Sequence, residues 1–583
     1  MLVNLRSQWA DAIDQELPLP EYPRPQLVRE QWENLNGKWD ACVHSPEREP
    51  DFSASILVPF PLGSALSGFD HVLQPDEVLT MRTYFEHSLS DGPDRLRLHF
   101  GGVDWACEVW INDVGVGSHT GGFDPFYLDI TDALIPGSSQ KLVISITDPT
   151  DTGNQPLGKQ TLTPFAIQYT AVAGIWQTVW LEPVPQSCIE RVYTETAIAA
   201  GTVTVNYDLS NTKPGTQVNV RALDGETVVS QGSELVEGDS GSVLLSFDDL
   251  HLWCPRDPFL YSLVIEITDG TGDVLDRVES YFGAREVSCE PDDSGHMRLH
   301  LNGSPIFHLG LLDQGWWPDG LLTAPTDEAL KFDIEASLEM GFNTIRKHVK
   351  VEPARWYWHA DRLGVLVWQD MPSTVFNMVE FGKQLKKGVE PEEMEWDSIS
   401  PGKDPEGFRS ELDAMLTALQ PFASIVAWVP FNEAWGQHDT NETLAHVMRF
   451  DATRLVDGPS GWTDMGLGHM RDHHLYQGAE QLPEPESGRA TVYGEFGGIS
   501  LYIDGHSMFE KGWGYTKTES VEDFLTSYEE LLTVIGGLIP EGLAGAIYTQ
   551  TTDVESEING LLTYDRKYKL QPEKVRLIHE KIL

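Results

Sequence analysis

From about residue 289 to residue 583, short apolar runs alternate with amphipathic stretches, and that alternation leaves few architectures open. Eight runs have the length and the β-branched or aromatic content of buried strands. They are Ile306-Phe-His-Leu-Gly310, Thr344-Ile-Arg-Lys-His348, Val365-Leu-Val-Trp-Gln369, Ile425-Val-Ala-Trp-Val429, Gly461-Trp-Thr-Asp464, His473-His-Leu-Tyr476, Thr491-Val-Tyr-Gly494 and Ala544-Gly-Ala-Ile-Tyr548. Stretches of helical periodicity, 326–340, 353–363 and 408–419, fall between them. Strands buried on both faces and joined by crossover helices make a parallel sheet. Eight of them in roughly 290 residues predict one closed (β/α)8 barrel.

In such a barrel the chemistry sits at the carboxyl ends of the strands, where the βα loops open. The fourth run stops at Asn432-Glu433, with Trp435 close behind, and the seventh stops at Glu495 within Gly494-Glu-Phe-Gly-Gly498. Glycoside hydrolysis needs such a pair of carboxyl groups, one protonated to assist the leaving oxygen and one ionised to attack the anomeric carbon. The Asn432 amide suits a hydroxyl, the Trp435 ring suits the face of a sugar, and the glycines around Glu495 let the backbone turn sharply beside a ligand.

These two strings resemble the acid/base and nucleophile motifs of glycoside hydrolase family 2, the family of β-galactosidases, β-glucuronidases and β-mannosidases. The resemblance implies Glu433 as acid/base, Glu495 as nucleophile and retention of anomeric configuration, with the carboxyl groups about 5–5.5 Å apart. It implies that Asn432 binds the sugar 2-hydroxyl. Asn343-Thr-Ile-Arg346 matches a family pattern that puts an arginine beside the nucleophile. Val367-Trp-Gln-Asp-Met-Pro372 and Asp553-Val-Glu-Ser-Glu-Ile-Asn559 resemble further segments of the barrel.

Other strand-end residues are candidate substrate ligands. His348 suits a sugar contact or a structural role, and Asp370 suits sugar hydroxyls or the cap of a loop. Tyr476 is placed to hydrogen-bond Glu495. Trp316 and Trp317, in the aromatic loop after the first strand, are candidate walls of the site or core-fillers. At the end of the eighth strand Thr549 stands where many family members carry a tryptophan, which leaves Trp513 or the first-strand loop as the source of a platform under the sugar. A magnesium ion is compatible with the family, but no spacing of hard-oxygen ligands indicates one, and no cofactor is expected to be required.

Upstream, residues 1–185 read as a jelly-roll β-sandwich. Arg95-Leu-Arg-Leu-His-Phe100 alternates with period two, and an Asn112-Asp113 turn joins two strand-like runs. Gly174-Ile-Trp-Gln-Thr-Val-Trp-Leu-Glu182 resembles the family's sugar-binding amino-terminal domain. Residues 186–288 change to Val- and Thr-rich strands with Gly, Asp and Asn turns, as in a small immunoglobulin-like sandwich. Within it, Gly238-Asp-Ser-Gly241 matches a serine-protease string but sits in a turn of a small sandwich, whereas that chemistry is built between two β-barrels, and a polar turn explains it.

The formal net charge of −50 opposes binding to nucleic acid or to anionic membrane surfaces. The five cysteines form no CxxC pattern and are expected to be reduced. Met1-Leu-Val-Asn-Leu-Arg-Ser-Gln-Trp9 lacks the apolar core of a signal peptide, which gives a cytoplasmic expectation. The expectation is thus a multidomain retaining exo-β-glycosidase acting on a small glycoside or oligosaccharide, β-galactosidase-like ahead of β-glucuronidase or β-mannosidase. A non-catalytic carbohydrate-binding protein on the same scaffold is the alternative, and assembly into a homo-oligomer stays open.

Overall fold

Apolar side chains on both faces of eight short runs drive the second half of the chain into a parallel sheet that curls on itself. In the computed structural model the barrel strands are β1 (His308–Asp313), β2 (Thr344–Lys347), β3 (Leu366–Asp370), β4 (Ile425–Val429), β5 (Leu455–Val456), β6 (Met470–Leu475), β7 (Ala490–Gly497) and β8 (Leu543–Thr549). They pair in the order β5-β4-β3-β2-β1-β8-β7-β6. A parallel bridge between Asp457 and Met470 brings the two edge strands together. The structure describes residues 5–87, 94–387, 389, 393–395, 399–400, 404–476, 482–509 and 512–582.

The fifth strand corrects the sequence reading. It is Leu455–Val456, and Gly461-Trp-Thr-Asp464 lies in the loop that leads to β6. Two residues are too few for any periodicity to register, and the aromatic Trp462 made the loop look like the better strand.

Helices α1 (Asp327–Glu339), α2 (Ala354–Leu363), α3 (Met378–Lys386), α4 (Pro405–Leu419), α5 (Thr440–Phe450), α6 (Val521–Leu538) and α7 (Pro572–Ile582) follow the strands. Their ends are written in the sequence. Thr326 caps α1 by accepting from the Ala329 amide, with Asp327 and Glu328 in the first turn, and Gly364 closes α2 in the left-handed region. Among the described residues no helix follows β5 or β6.

Upstream stand two sandwiches. The first packs a six-stranded sheet against a four-stranded one around Trp39, Phe100 and Ile144. In its strand Arg95–Phe100 the polar positions Arg97 and His99 are buried as well, because the outer face is covered: Arg97 forms a bidentate pair with Glu190 of the second sandwich (2.6 and 2.7 Å), and His99 stacks on Trp180. Period two was correct, but solvent was not what lay beyond it. The second sandwich sets three strands against four around Val205, Val220 and Ile265. All five cysteines are free.

Two junctions fix the barrel. At its amino-terminal end, Leu299 and Leu301 of a small antiparallel sheet pack with Trp253 against Leu366, Trp368 and Ile547. Beside them the buried Arg285 donates to the carbonyls of Ala423, Thr453 and Ile425 at 3.0, 2.8 and 2.9 Å. Arg285→Ala leaves these carbonyls without a donor and should cost on the order of 3 kcal/mol or more in chemical denaturation, with little change in site geometry.

At the carboxyl-terminal end a first-sandwich segment, residues 155–172, lies on the barrel mouth. The amides of Leu157 and Gly158 donate to the Ser373 carbonyl after β3 (2.9 Å each), Gln168 to that of Phe376 (2.9 Å), and the Thr170 amide to Glu555 after β8 (3.0 Å). Gly158 has φ +67°, and a Cβ there would stand 2.6 Å from the Val349 carbonyl after β2, so this approach requires glycine.

Candidate active site

β4 ends in an irregular turn. Glu433 and Ala434 both have positive φ (+48° and +64°), a conformation that non-glycine residues hold only when the surroundings impose it and that concentrates at functional sites. The Glu433 amide donates to the Ser460 carbonyl (2.9 Å), which fixes the turn. β7 carries Glu495 to the same mouth. Gly494 precedes it because a Cβ there would fall 1.9 Å from Asp472, whose other oxygen takes the Gly494 amide.

Both glutamates are buried, and they face each other. Oxygens of Glu433 and Glu495 and a nitrogen of His474 all lie within 4.8 Å of one another. The Tyr476 hydroxyl bridges the acids, donating to Glu495 Oε2 at 2.6 Å and lying 3.2 Å from Glu433 Oε1. Burial, with the two carboxylates beside it, pushes the Tyr476 pKa far above its ordinary value, so the phenol keeps its proton and remains a donor.

Arg346, fully buried on β2, ties the strand ends together. It donates to Asp370 from Nε and Nη2 (2.9 Å each), to the Asn432 carbonyl oxygen (2.8 Å) and to the Gly494 carbonyl (3.2 Å), and reaches Glu495 Oε1 at 3.5 Å. The expected neighbour of Glu495 is thus present, though its shorter bonds go elsewhere. Holding Oδ1 in this way leaves the Asn432 amide nitrogen buried without a partner, as a group awaiting a hydroxyl would be. His348 is similar. Nδ1 is 2.8 Å from Asp370, while Nε2 is unpartnered and 4.0 Å from Glu495. Burial, reinforced by Lys159, keeps this histidine neutral.

Two sequence candidates are reassigned. The oxygens of Asp370 are taken by Arg346, His348 and the Val349 amide, so it positions those residues. Trp317 is no wall of the site. It packs against Trp9 and lies 3.7 Å beneath the Arg566 guanidinium. Trp316 meets Tyr169 edge to face at 5.3 Å, and Trp435 stacks on Phe376 at 4.0 Å with its indole nitrogen unpartnered. Trp513 meets Tyr515 at 4.7 Å, and Tyr515 in turn stacks on Tyr476 at 3.6 Å, so the aromatic surface here runs through a tyrosine pair.

His474 was the main residue overlooked. Its Nδ1 lies 2.7 Å from Glu433 Oε1, and its Nε2 meets Ser460 Oγ (2.8 Å), which donates to Asp472 (2.6 Å). Burial opposes its charge, yet Glu495, Asp472 and Glu433 outweigh burial and push its pKa up to about 10. The same hydrogen bond and charge hold Glu433 below the ordinary glutamate value, against the burial that would raise it. A histidine two positions before a tyrosine carries no periodic signal, and only the fold shows what it faces.

Among the described residues, Glu433, His474 and Glu495 are the cluster close enough to hold a metal. They are a poor fit for magnesium, which takes oxygen ligands, and a protonated imidazole is a donor instead of a ligand.

A barrel with two facing carboxylic acids at the carboxyl ends of β4 and β7, roofed by a sandwich loop, has the paired acids that glycoside hydrolysis requires. The model "Glycosyl hydrolase 2 galactose-binding domain-like" matches residues 73–173, and "Glycosyl hydrolases family 2" matches residues 188–285. Both models describe domains of glycoside hydrolase family 2, and together they match about a third of the chain. It is 24% identical over 362 residues to a β-glucuronidase of Paenibacillus borealis, covering 58% of this chain and 56% of that one, and 24% identical over 288 residues to a β-galactosidase of Thermoanaerobacter pseudethanolicus, covering 48% and 37%. The chain spans between 32% and 56% of the length of three curated relatives it matches. A β-glucuronidase from Ruminococcus gnavus in complex with D-glucuronic acid shares the fold, with TM-score 0.72 and 18% identity over 97% of this chain and 99% of that one.

Proposed function

We propose that this protein is a retaining exo-β-glycosidase of β-galactosidase type. The observation that carries the reading is the approach of the Glu433 and Glu495 oxygens to within 4.8 Å, the separation at which one carboxylate reaches the anomeric carbon while the other reaches the glycosidic oxygen. Glu433 delivers a proton to the leaving oxygen as Glu495 attacks the anomeric carbon, and the C–O bond to the aglycone breaks. Tyr476 orients Glu495 for that attack. Glu433 then takes a proton from water, which attacks the anomeric carbon and releases Glu495. The unpartnered Asn432 amide nitrogen is placed for the 2-hydroxyl, where contacts strengthen in the transition state.

The test is a panel of p-nitrophenyl glycosides, with the first-formed anomer followed by NMR. The β-galactoside should turn over fastest and release the β-anomer first. Initial release of the α-anomer would exclude the covalent route, and sugar binding by calorimetry with no turnover on any glycoside would leave a carbohydrate-binding protein.

A further inference from the structure

Lys159 belongs to the first sandwich, yet it sits over the barrel mouth. Gly158 brings the backbone against Val349, the Lys159 carbonyl accepts from the Tyr169 amide (2.8 Å), and the side chain is left 7% exposed. Among the described residues its ammonium group has no hydrogen bond or ion pair, and it is not one of the polar atoms sealed from solvent. Its neighbours are the faces of Tyr169 and Trp435, each ring centre 5.9 Å away. Its charge acts on His348, Glu433 and Glu557, which places it beside the acid/base. A cation at this mouth with no partner of its own has its donors free for what the cavity receives.

Across from it stands Glu557, on the loop after β8 and buried. It accepts from the Tyr169 hydroxyl and, at 3.0 Å, from Asn559, and it lies close enough to Glu495 for their charges to oppose each other. Lys159 and Glu557 form no ion pair; the one lies over the Tyr169 ring and the other takes its hydroxyl, so Tyr169 carries a donor on one side and an acceptor on the other. Resting on the reading of the site as a glycosidase, we propose that Lys159 and Glu557 together bind hydroxyls of the terminal sugar remote from the anomeric centre, and that the sugar is neutral.

The charge balance favours a neutral ring. Glu433, Glu495, Glu557, Asp370 and Asp472 converge on a site whose cations are Arg346, His474 and Lys159, so a uronate would bring a further carboxylate into an excess of them. A hydroxyl accepts from an ammonium and donates to a carboxylate with no net charge buried. Glu557 would face a substrate carboxylate with a like charge.

The experiment compares wild-type protein with Lys159→Met and Lys159→Gln on p-nitrophenyl β-galactoside, its 3-deoxy and 4-deoxy analogues, and p-nitrophenyl β-glucuronide. Lys159→Met should lower kcat/KM on the parent by about 100-fold without lowering Tm, since it breaks no hydrogen bond or ion pair of the fold. For one deoxy analogue the penalty seen with wild-type protein should vanish in both variants. That loss of discrimination is a readout a merely structural lysine would not move, and it is measured on whichever variant folds. An unchanged deoxy penalty in the variants would overturn the role of Lys159, and preference of the wild-type protein for the glucuronide would overturn the neutral sugar. If no glycoside is turned over, the glycosidase reading falls by itself; calorimetric binding of galactose that is lost in Lys159→Met would then still support Lys159, and unchanged binding would overturn it.

Discussion

Glu495→Ala should lower turnover of aryl β-galactosides by on the order of 10⁵-fold or more, the scale on which loss of a covalent nucleophile is felt. The side chain contacts little that the fold needs. Its oxygens meet Tyr476 at 2.6 Å and Arg346 at 3.5 Å, and Arg346 keeps its shorter bonds to Asp370 and Asn432. Tm should therefore move little. Truncation leaves a cavity on the side of the sugar from which Glu495 attacks, and azide should enter it, displace an activated aglycone and give the α-glycosyl azide. Glu433→Ala should behave in the mirror sense: attack on the glycosyl-enzyme from the opposite side gives the β-glycosyl azide. Assignment of the azide products by NMR therefore separates the two roles. An exchange of the two products would reverse the assignments, and wild-type-like turnover by Glu495→Ala would remove the covalent intermediate.

The second large effect is expected in the pH profile of His474→Gln. In the resting site one proton is shared between Glu433 and His474, and it rests on the imidazole, whose pKa is pushed up to about 10 while Glu433 is held low. The two groups titrate as a unit, so the basic limb of kcat/KM reports loss of that shared proton. In wild-type protein the limb should therefore lie far to the alkaline side. With His474 removed, Glu433 must carry the proton alone. Burial then raises its pKa, but without the histidine the proton leaves at lower pH than it leaves the pair. The basic limb should move down, with activity falling tenfold per pH unit above the new limb. A limb that stays in place would show that His474 does not hold the acid/base proton. His474→Asn, which keeps an amide in the pocket, controls for packing.

How much of this was legible in the sequence depended on which forces set each feature. Glu433 and Glu495 were readable because each ends an apolar run, and buried strands announce themselves locally. The Tyr476 contact followed from the strand count. The network around Arg346 was not readable in full, because choosing Asp370 as its partner over a sugar is a matter of distances between β2 and β3. Trp317 misled since an aromatic in a loop is equally at home in a core, and only Trp9 and Arg566, far away in sequence, decide between them. Lys159 was invisible for a related reason. It lies in an irregular stretch of a different domain, and nothing local to Leu157-Gly-Lys159 says that a glycine there grazes Val349 of the barrel.

That grazing contact has an evolutionary reading. The two facing acids are anchored in one module, whereas part of the chamber's roof is lent by another that begins far upstream, so the repertoire of accepted ligands can drift through changes in the lender while the acids stay untouched. A chimera that exchanges the roof loop between relatives would inherit the donor's tastes and the host's reaction, provided the glycine that permits the close fit travels with it.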